Sequence, residues 1–307
     1  MKRILIVGCG DIAMRVAPLL RKNYRLFGLV RNVARHDELR AAGIIPLPGN
    51  LDGRQSLHRL AGLANIVLHF APPASSANLL LNSPLSKGGN GGIPLTDTRT
   101  KNLLAVLARG RLPQQLVYIS TSGVYGDCGG EVVAETRPLN AHNPRAQRRM
   151  DAEKQIRTWA KKTGVHASIL RVPGIYAADR LPLQRLQQGT PAILENEDSY
   201  TNHIHADDLA RCVVAAIRHA KPNRVVHTSD DSQLKMGEYF DAVADAFGLT
   251  RAPRVTRAEA QRVLSPMLLS FINESRRLTN TRMKRELKVV LSYPTVADAL
   301  RDIDPRT

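Results

Sequence analysis

The segment ILIVGCGDIAMRVAPLL, Ile4 to Leu20, decides the fold. Its opening apolar, β-branched run reads as a buried strand, and the residues from Asp11 onward carry apolar side chains at helical spacing. Between the two, Gly8, Gly10 and Ala13 form a G-x-G-x-x-A pattern. Glycine at 8 permits a tight turn, and glycine at 10 lets a pyrophosphate approach the backbone. Ala13 lets the helix pack close to the strand, so that its N-terminus, with Asp11 and Ile12 in the first turn, faces the phosphates. The bland alternative is a glycine turn with no ligand, and the strand-turn-helix context argues against it.

Working outward, RILIVG, YRLFGLV, GIIPLPG, NIVLHFA, QLVYIS and HASILRV alternate with helical patterns through the first two-thirds of the chain. Strands separated by helices imply right-handed crossovers and a parallel sheet covered on both faces, an α/β doubly wound fold. Asn82 to Gly92 lies in a Gly/Ser/Asn/Pro tract without periodicity and reads as a mobile surface loop. After Val172 strands thin out, although RVVHTSD (Arg224 to Asp230) reads as one more, and MGEYFDAVADAFGL is an amphipathic helix. The expected organisation is therefore a dinucleotide-binding domain over residues 1–172, with a return segment near 203–230, and a smaller C-terminal substrate lobe over 173–307.

The chain carries 44 Lys/Arg against 27 Asp/Glu, a net charge of +17. Residues 137–162 hold eight basic residues against two acids, and 251–288 hold ten against three. Clustered charge of this kind suits phosphate, yet no DNA- or RNA-binding motif accompanies it, and 4% aromatics leave few stacking platforms, so nucleic acid is not the expected partner. Gly8, Gly10 and Asp11 interrupt the N-terminal apolar run before a signal core forms, and the uncharged stretch Leu60 to Ser86 is broken by prolines and polar residues. A cytoplasmic location without membrane contact is expected. Cys9, Cys128 and Cys212 are odd in number and widely spaced, which favours reduced thiols and no metal site. Cys9 itself reads as a small hydrophobe.

An NAD site offers an acid to the ribose 2′-hydroxyl about twenty residues beyond its glycines. Here the second strand ends in GLVRNVAR, with Arg31 at that place. A guanidinium pairs with a 2′-phosphate, so NADP is favoured over NAD, the alternative being a solvated arginine. Asn50 and Leu51 after the third strand would border the adenine. Ala71, Pro72 and Pro73 after the fourth would border ribose and phosphates.

From here the chain resembles the short-chain dehydrogenase/reductase superfamily, in its extended, epimerase/dehydratase-like branch. The resemblance is carried by YISTSGVYGDCGGEVVAE after the fifth strand and LRVPGIYAADR after the sixth. NHIHADDLA and SRRLTNTRMKRELKVVLSYPTVADALRDI extend it almost to the last residue. It implies a Rossmann fold with Pro173 and Gly174 beside the cofactor, a small polar substrate such as a nucleotide-linked sugar, and oxidoreductase, epimerase or dehydratase chemistry; homodimers are common in that branch. It also implies a Ser or Thr that holds the reacting oxygen and a Tyr-x-x-x-Lys that moves the proton. Aligning STSGVYG places Thr121 at the first position, beside Ser122. With Glu153 at the acid that follows the lysine, the Lys position falls on Arg149 and the Tyr position on Arg145.

An arginine stays protonated, so Arg145 cannot relay a proton, whereas Arg149 could still hold a ribose or phosphate. At about 100° per residue, Arg145, Arg149, Ala152, Ile156 and Ala160 share one stripe, which points both arginines inward, and Arg148 falls at its edge, toward solvent. A replacement acid/base would come from Tyr125, Tyr176 or Ser122, with packing as the alternative for each. His203 and His205 read as lobe contacts, Asp207 or Asp208 as the cap of the following helix, and Arg276 and Arg277 as holders of a substrate anion. The rival reading is a non-catalytic NADP-binding sensor.

Overall fold

The computed structural model describes residues 1–74 and 95–303; the loop expected at Asn82 to Gly92 lies outside them. The strands are β1 (Lys2–Val7), β2 (Tyr24–Val30), β3 (Ile44–Pro48), β4 (Ile66–His69), β5 (Gln115–Thr121), β6 (Val132–Val133), β7 (His166–Val172), β8 (Gly174–Tyr176), β9 (Ala192–Ile193), β10 (His203–His205), β11 (Arg224–His227), β12 (Arg254–Val255) and β13 (Arg277–Leu278). Seven of them form one parallel sheet in the order β11-β7-β5-β4-β1-β2-β3. The fold is α/β and doubly wound. Strand order reverses between β1 and β4, and in such sheets ligands bind at the carboxyl ends of the strands beside that switch point.

The chain forms two compact units: Met1–Val124 with Ala141–Arg171 and Ala210–Val226, and Tyr125–Asn140 with Val172–Leu209 and His227–Thr307. The core of the first is built from sheet residues such as Leu5, Val67 and Leu116, covered by Leu103, Ile156 and Ala160 from the helices Thr98–Leu107 and Pro144–Thr163. These are the near-continuous apolar strands that two-sided burial requires. The core of the second gathers Tyr239, Phe240, Val243 and Ala244 of the helix Met236–Ala246 with Val296, Ala299 and Leu300.

The second unit takes in the segment 125–140, which a boundary at residue 172 leaves in the first. The physical reason is local pairing: β6 runs parallel to β13, Arg276 donates to the Gly126 carbonyl at 2.8 Å, and Arg277 donates to the Gly130 carbonyl at 2.8 Å. Among the described residues no helix is long and apolar enough to cross a membrane.

Candidate functional site

Gly8 has φ +100°, and a Cβ there would lie 2.5 Å from the Ala71 nitrogen, so the turn after β1 touches the segment after β4 at the switch point itself. No L side chain fits that conformation or that gap. At Gly10 the opposite holds, since a Cβ would meet nothing within 4 Å. Exposed Gly10 caps the ten-residue helix Asp11–Leu20, whose unpaired N–H groups and positive dipole end favour an anion. Asp11 pairs with Arg15 at 2.8 Å, which offsets a carboxylate beside such an anion. Ile12 and Ala13 are buried against the sheet. Room at Gly10 and the absence of a side chain at Gly8 fit this turn to a pyrophosphate.

Cys9 is buried, with its sulfur where a side chain on Gly28 would clash, and burial pushes its thiol up to about 12. It is packing and no nucleophile. Arg31 stands exposed just past β2, and its charge lowers the pKa of Asp52, second to the stronger influence of Arg99. Arg35 donates to the Cys9 carbonyl in the glycine turn and pairs with Glu38. Sequence reading missed this second arginine, whose only signal was its position four residues after Arg31.

Arg99, also missed, joins two loops. It holds Asp52 through two hydrogen bonds of 2.7 Å and donates to the Pro72 carbonyl at 3.1 Å, while Asn102 donates to the Leu51 carbonyl at 2.8 Å. The segments Asn50–Leu51 and Ala71–Pro73 are thereby fixed by one helix. A bidentate pair between largely buried groups holds geometry better than a single contact would.

Thr121 ends β5, and its hydroxyl oxygen accepts the Gly123 N–H at 3.2 Å, which leaves its proton available to donate. Ser122 is 4% exposed. The parallel sheet places Gly8 and Gly10, Arg31, Asn50 and Leu51, Ala71 to Pro73, and Thr121 and Ser122 at the carboxyl ends of its strands. Pro173 and Gly174 belong to the second unit, as do Tyr125 and Tyr176.

The helix Pro144–Thr163 corrects the expected stripe. It starts at Asn143, whose side chain accepts the Ala146 N–H, with Pro144 at the first turn and no acid there to meet the dipole. Arg148, expected at the surface, is 3% exposed; burial lowers its pKa, and the charge of Asp97 acts in the opposite direction. Arg145, expected to point inward, is exposed in the first turn of the helix. Its guanidinium is still crowded by protein and by the charge of Arg149, and both lower its pKa. Arg149 is inward, with 7% exposure; it donates to the Ile119 carbonyl at 2.6 Å and to the Tyr118 hydroxyl at 3.0 Å. Those bonds fasten the helix to β5.

Glu153 accepts from Arg171 at 2.7 Å and from the Ser120 hydroxyl at 2.6 Å, all three buried. His69 lies beside this region with its Nε2 2.9 Å from the Thr100 hydroxyl, which in turn donates to Asp97 at 2.6 Å. That geometry puts the proton on Nε2, and burial, aided by Arg149 and Arg99, holds the ring neutral with a pKa of about 3.

In the second unit, the expected acid/base candidates are packed away. Tyr125 is 1% exposed and donates to His227 Nε2 at 2.6 Å, while His227 Nδ1 donates to the Thr279 carbonyl at 2.9 Å. Tyr176 is equally buried, edge-on to both His203 and His205, and burial raises its pKa. His203 stacks on Tyr239 with ring centres 4.1 Å apart, and burial lowers its pKa to about 3. Asp230 beside Tyr176 is 4% exposed, and burial pushes its carboxyl up to about 7. Arg276 and Arg277, expected to hold a substrate anion, are occupied by backbone carbonyls. Asp207 and Asp208, one of which was expected as a cap, both lie in the first turn of the helix Ala206–His219, and Asp208 accepts the N–H groups of Ser292 and Tyr293, each at 2.9 Å.

The chain is similar over 98% of its length to a functionally unknown conserved protein from Silicibacter pomeroyi, with 27% identity, 97% of that chain covered and a TM-score of 0.75. A UDP-glucuronic acid 4-epimerase from Bacillus cereus in complex with NAD is similar at 16% identity and TM-score 0.72, over 97% and 96% of the two chains. A double mutant of dTDP-glucose 4,6-dehydratase from Streptomyces venezuelae with NAD bound is similar at 18% and 0.74, over 98% and 96%. No curated protein matches. A sequence model of the NAD dependent epimerase/dehydratase family matches residues 4–227, and the chain belongs to that family.

Proposed function

We propose that the protein binds NADP and acts as an oxidoreductase or epimerase on a polar metabolite, of which nucleotide-linked sugars are the leading class. The observation that carries this reading is the open backbone at Gly10 together with exposed Arg31 just past β2, where an acid would be needed to prefer NAD. Gly8, Gly10, Asp11 and Ile12 would hold the pyrophosphate, and Arg31 the 2′-phosphate, while Arg35 is held by Glu38 and the Cys9 carbonyl. Asn50 and Leu51 would flank the adenine, and Ala71, Pro72 and Pro73 the ribose. The bound nicotinamide supplies the hydride acceptor or donor. Thr121 would donate its hydroxyl proton to the reacting oxygen of the substrate. Similar proteins with bound NAD and sugar-nucleotide names support this class of reaction.

A second reading, an NADP-binding sensor without turnover, is favoured by one observation. Arginine stands at the Tyr position, and both replacement tyrosines are 1% exposed. The two readings separate when protein loaded with NADP+ or with NADPH is given sugar nucleotides, ketones and aldehydes and followed both by nicotinamide absorbance and by product analysis, since an epimerase returns its cofactor to the starting oxidation state. A change in absorbance or a new product supports the first; cofactor binding with neither supports the second. Absence of both NADPH and NADH binding overturns both.

A further inference from the structure

Arg145 and Arg149 stand one turn apart on the same face of the helix Pro144–Thr163. Burial and then the charge of Arg149 lower the pKa of the Arg145 guanidinium. Elsewhere in the chain, Arg35, Arg99, Arg171 and Arg254 each meet a carboxylate. Arg149 is more than nine-tenths buried, with one terminal nitrogen committed to Tyr118 and Ile119 and its buried Nε without a partner. Two like charges at the positive end of a helix, one of them desolvated, are unfavourable until an anion joins them.

We propose that Arg145 and Arg149 bind an oxyanion group of the substrate, a carboxylate or phosphoryl, at the place where the family resemblance puts its proton-relay tyrosine. Arg145 is exposed as a residue, and its guanidinium fork can take two oxygens of such a group. The substrate is thus anionic close to its reacting centre, at the end of β5 where Arg149 meets the Ile119 carbonyl two residues before Thr121. This rests on the NADP-binding reading for the identity of the site, but its test stands apart from it.

Inorganic phosphate and malonate would be titrated into the wild-type protein and the Arg145→Gln and Arg145→Lys variants by thermal shift, with and without saturating NADPH. Saturable stabilisation of the wild type is expected, weakened by about tenfold or more in Arg145→Gln and less in Arg145→Lys, with NADPH affinity kept within about twofold. With no anion present, Arg145→Lys should melt with the wild type and Arg145→Gln at or slightly above it, since the glutamine removes one of the two like charges. An unchanged anion response in Arg145→Gln overturns the proposal. So does a loss of NADPH affinity with the anion response intact, which assigns the arginine to a cofactor phosphate. Failure of the wild type to bind NADPH counts against the parent reading alone, because the titration without cofactor still reads the arginine pair.

Discussion

At the scale of single residues, charge decides selectivity. A carboxylate at the end of β2 would repel a 2′-phosphate, whereas Arg31 attracts one. Charge-assisted hydrogen bonds of this type contribute about 1.5–3 kcal/mol, so Arg31→Ala should weaken NADPH binding by roughly 10- to 100-fold and leave NADH binding unchanged. Calorimetry with both nucleotides checks this, and equal losses for the two would contradict it. Asp230 gives a second residue-level expectation. Its folded pKa of about 7 lies above its ordinary value of 3.8, so the folded state binds the proton more tightly. Its stabilising contribution is complete below about pH 4 and is lost as pH rises toward 7. Asp230→Asn should remove that decline, and urea denaturation of both proteins across this window would show it. Parallel pH profiles for the two would sink the assignment.

At the scale of elements, the helix Pro144–Thr163 is attached to the sheet by buried charge as much as by apolar packing. Breaking a buried ion pair by removing one partner costs about 3–5 kcal/mol, so Glu153→Ala should lower unfolding stability by that order. Replacing both Glu153 and Arg171 with leucine should cost less than the single change, and a single-variant loss under about 1 kcal/mol would count against this role. The same helix shows what the sequence concealed. Its buried stripe through Arg149, Ala152, Ile156 and Ala160 was legible from spacing, as were the strand-turn-helix at Gly8 and the strands of the sheet. Arg148 was misplaced because helical phase alone cannot register a buried acid: the charge of Asp97 acts on it from more than 50 positions earlier in the chain. Arg145 was misplaced because helical phase gives a direction and not what packs against the first turn. Arg99 and the His227 partner of Tyr125 escaped notice because each bond spans a long separation, 47 and 102 residues. Local patterns cannot carry contacts of that range.

At the scale of the whole molecule, the seven-stranded sheet gathers the cofactor candidates of the first unit at the carboxyl ends of its strands, and an arginine where the resemblance expects a tyrosine would leave the chemistry open between turnover and sensing. Both outcomes require the same first step. The most direct measurement is therefore calorimetric titration of the purified full chain with NADPH and with NADH. Saturable binding of NADPH is expected at one site per chain, tighter than NADH by at least about tenfold. Tighter binding of NADH, or no heat from either nucleotide, would contradict it.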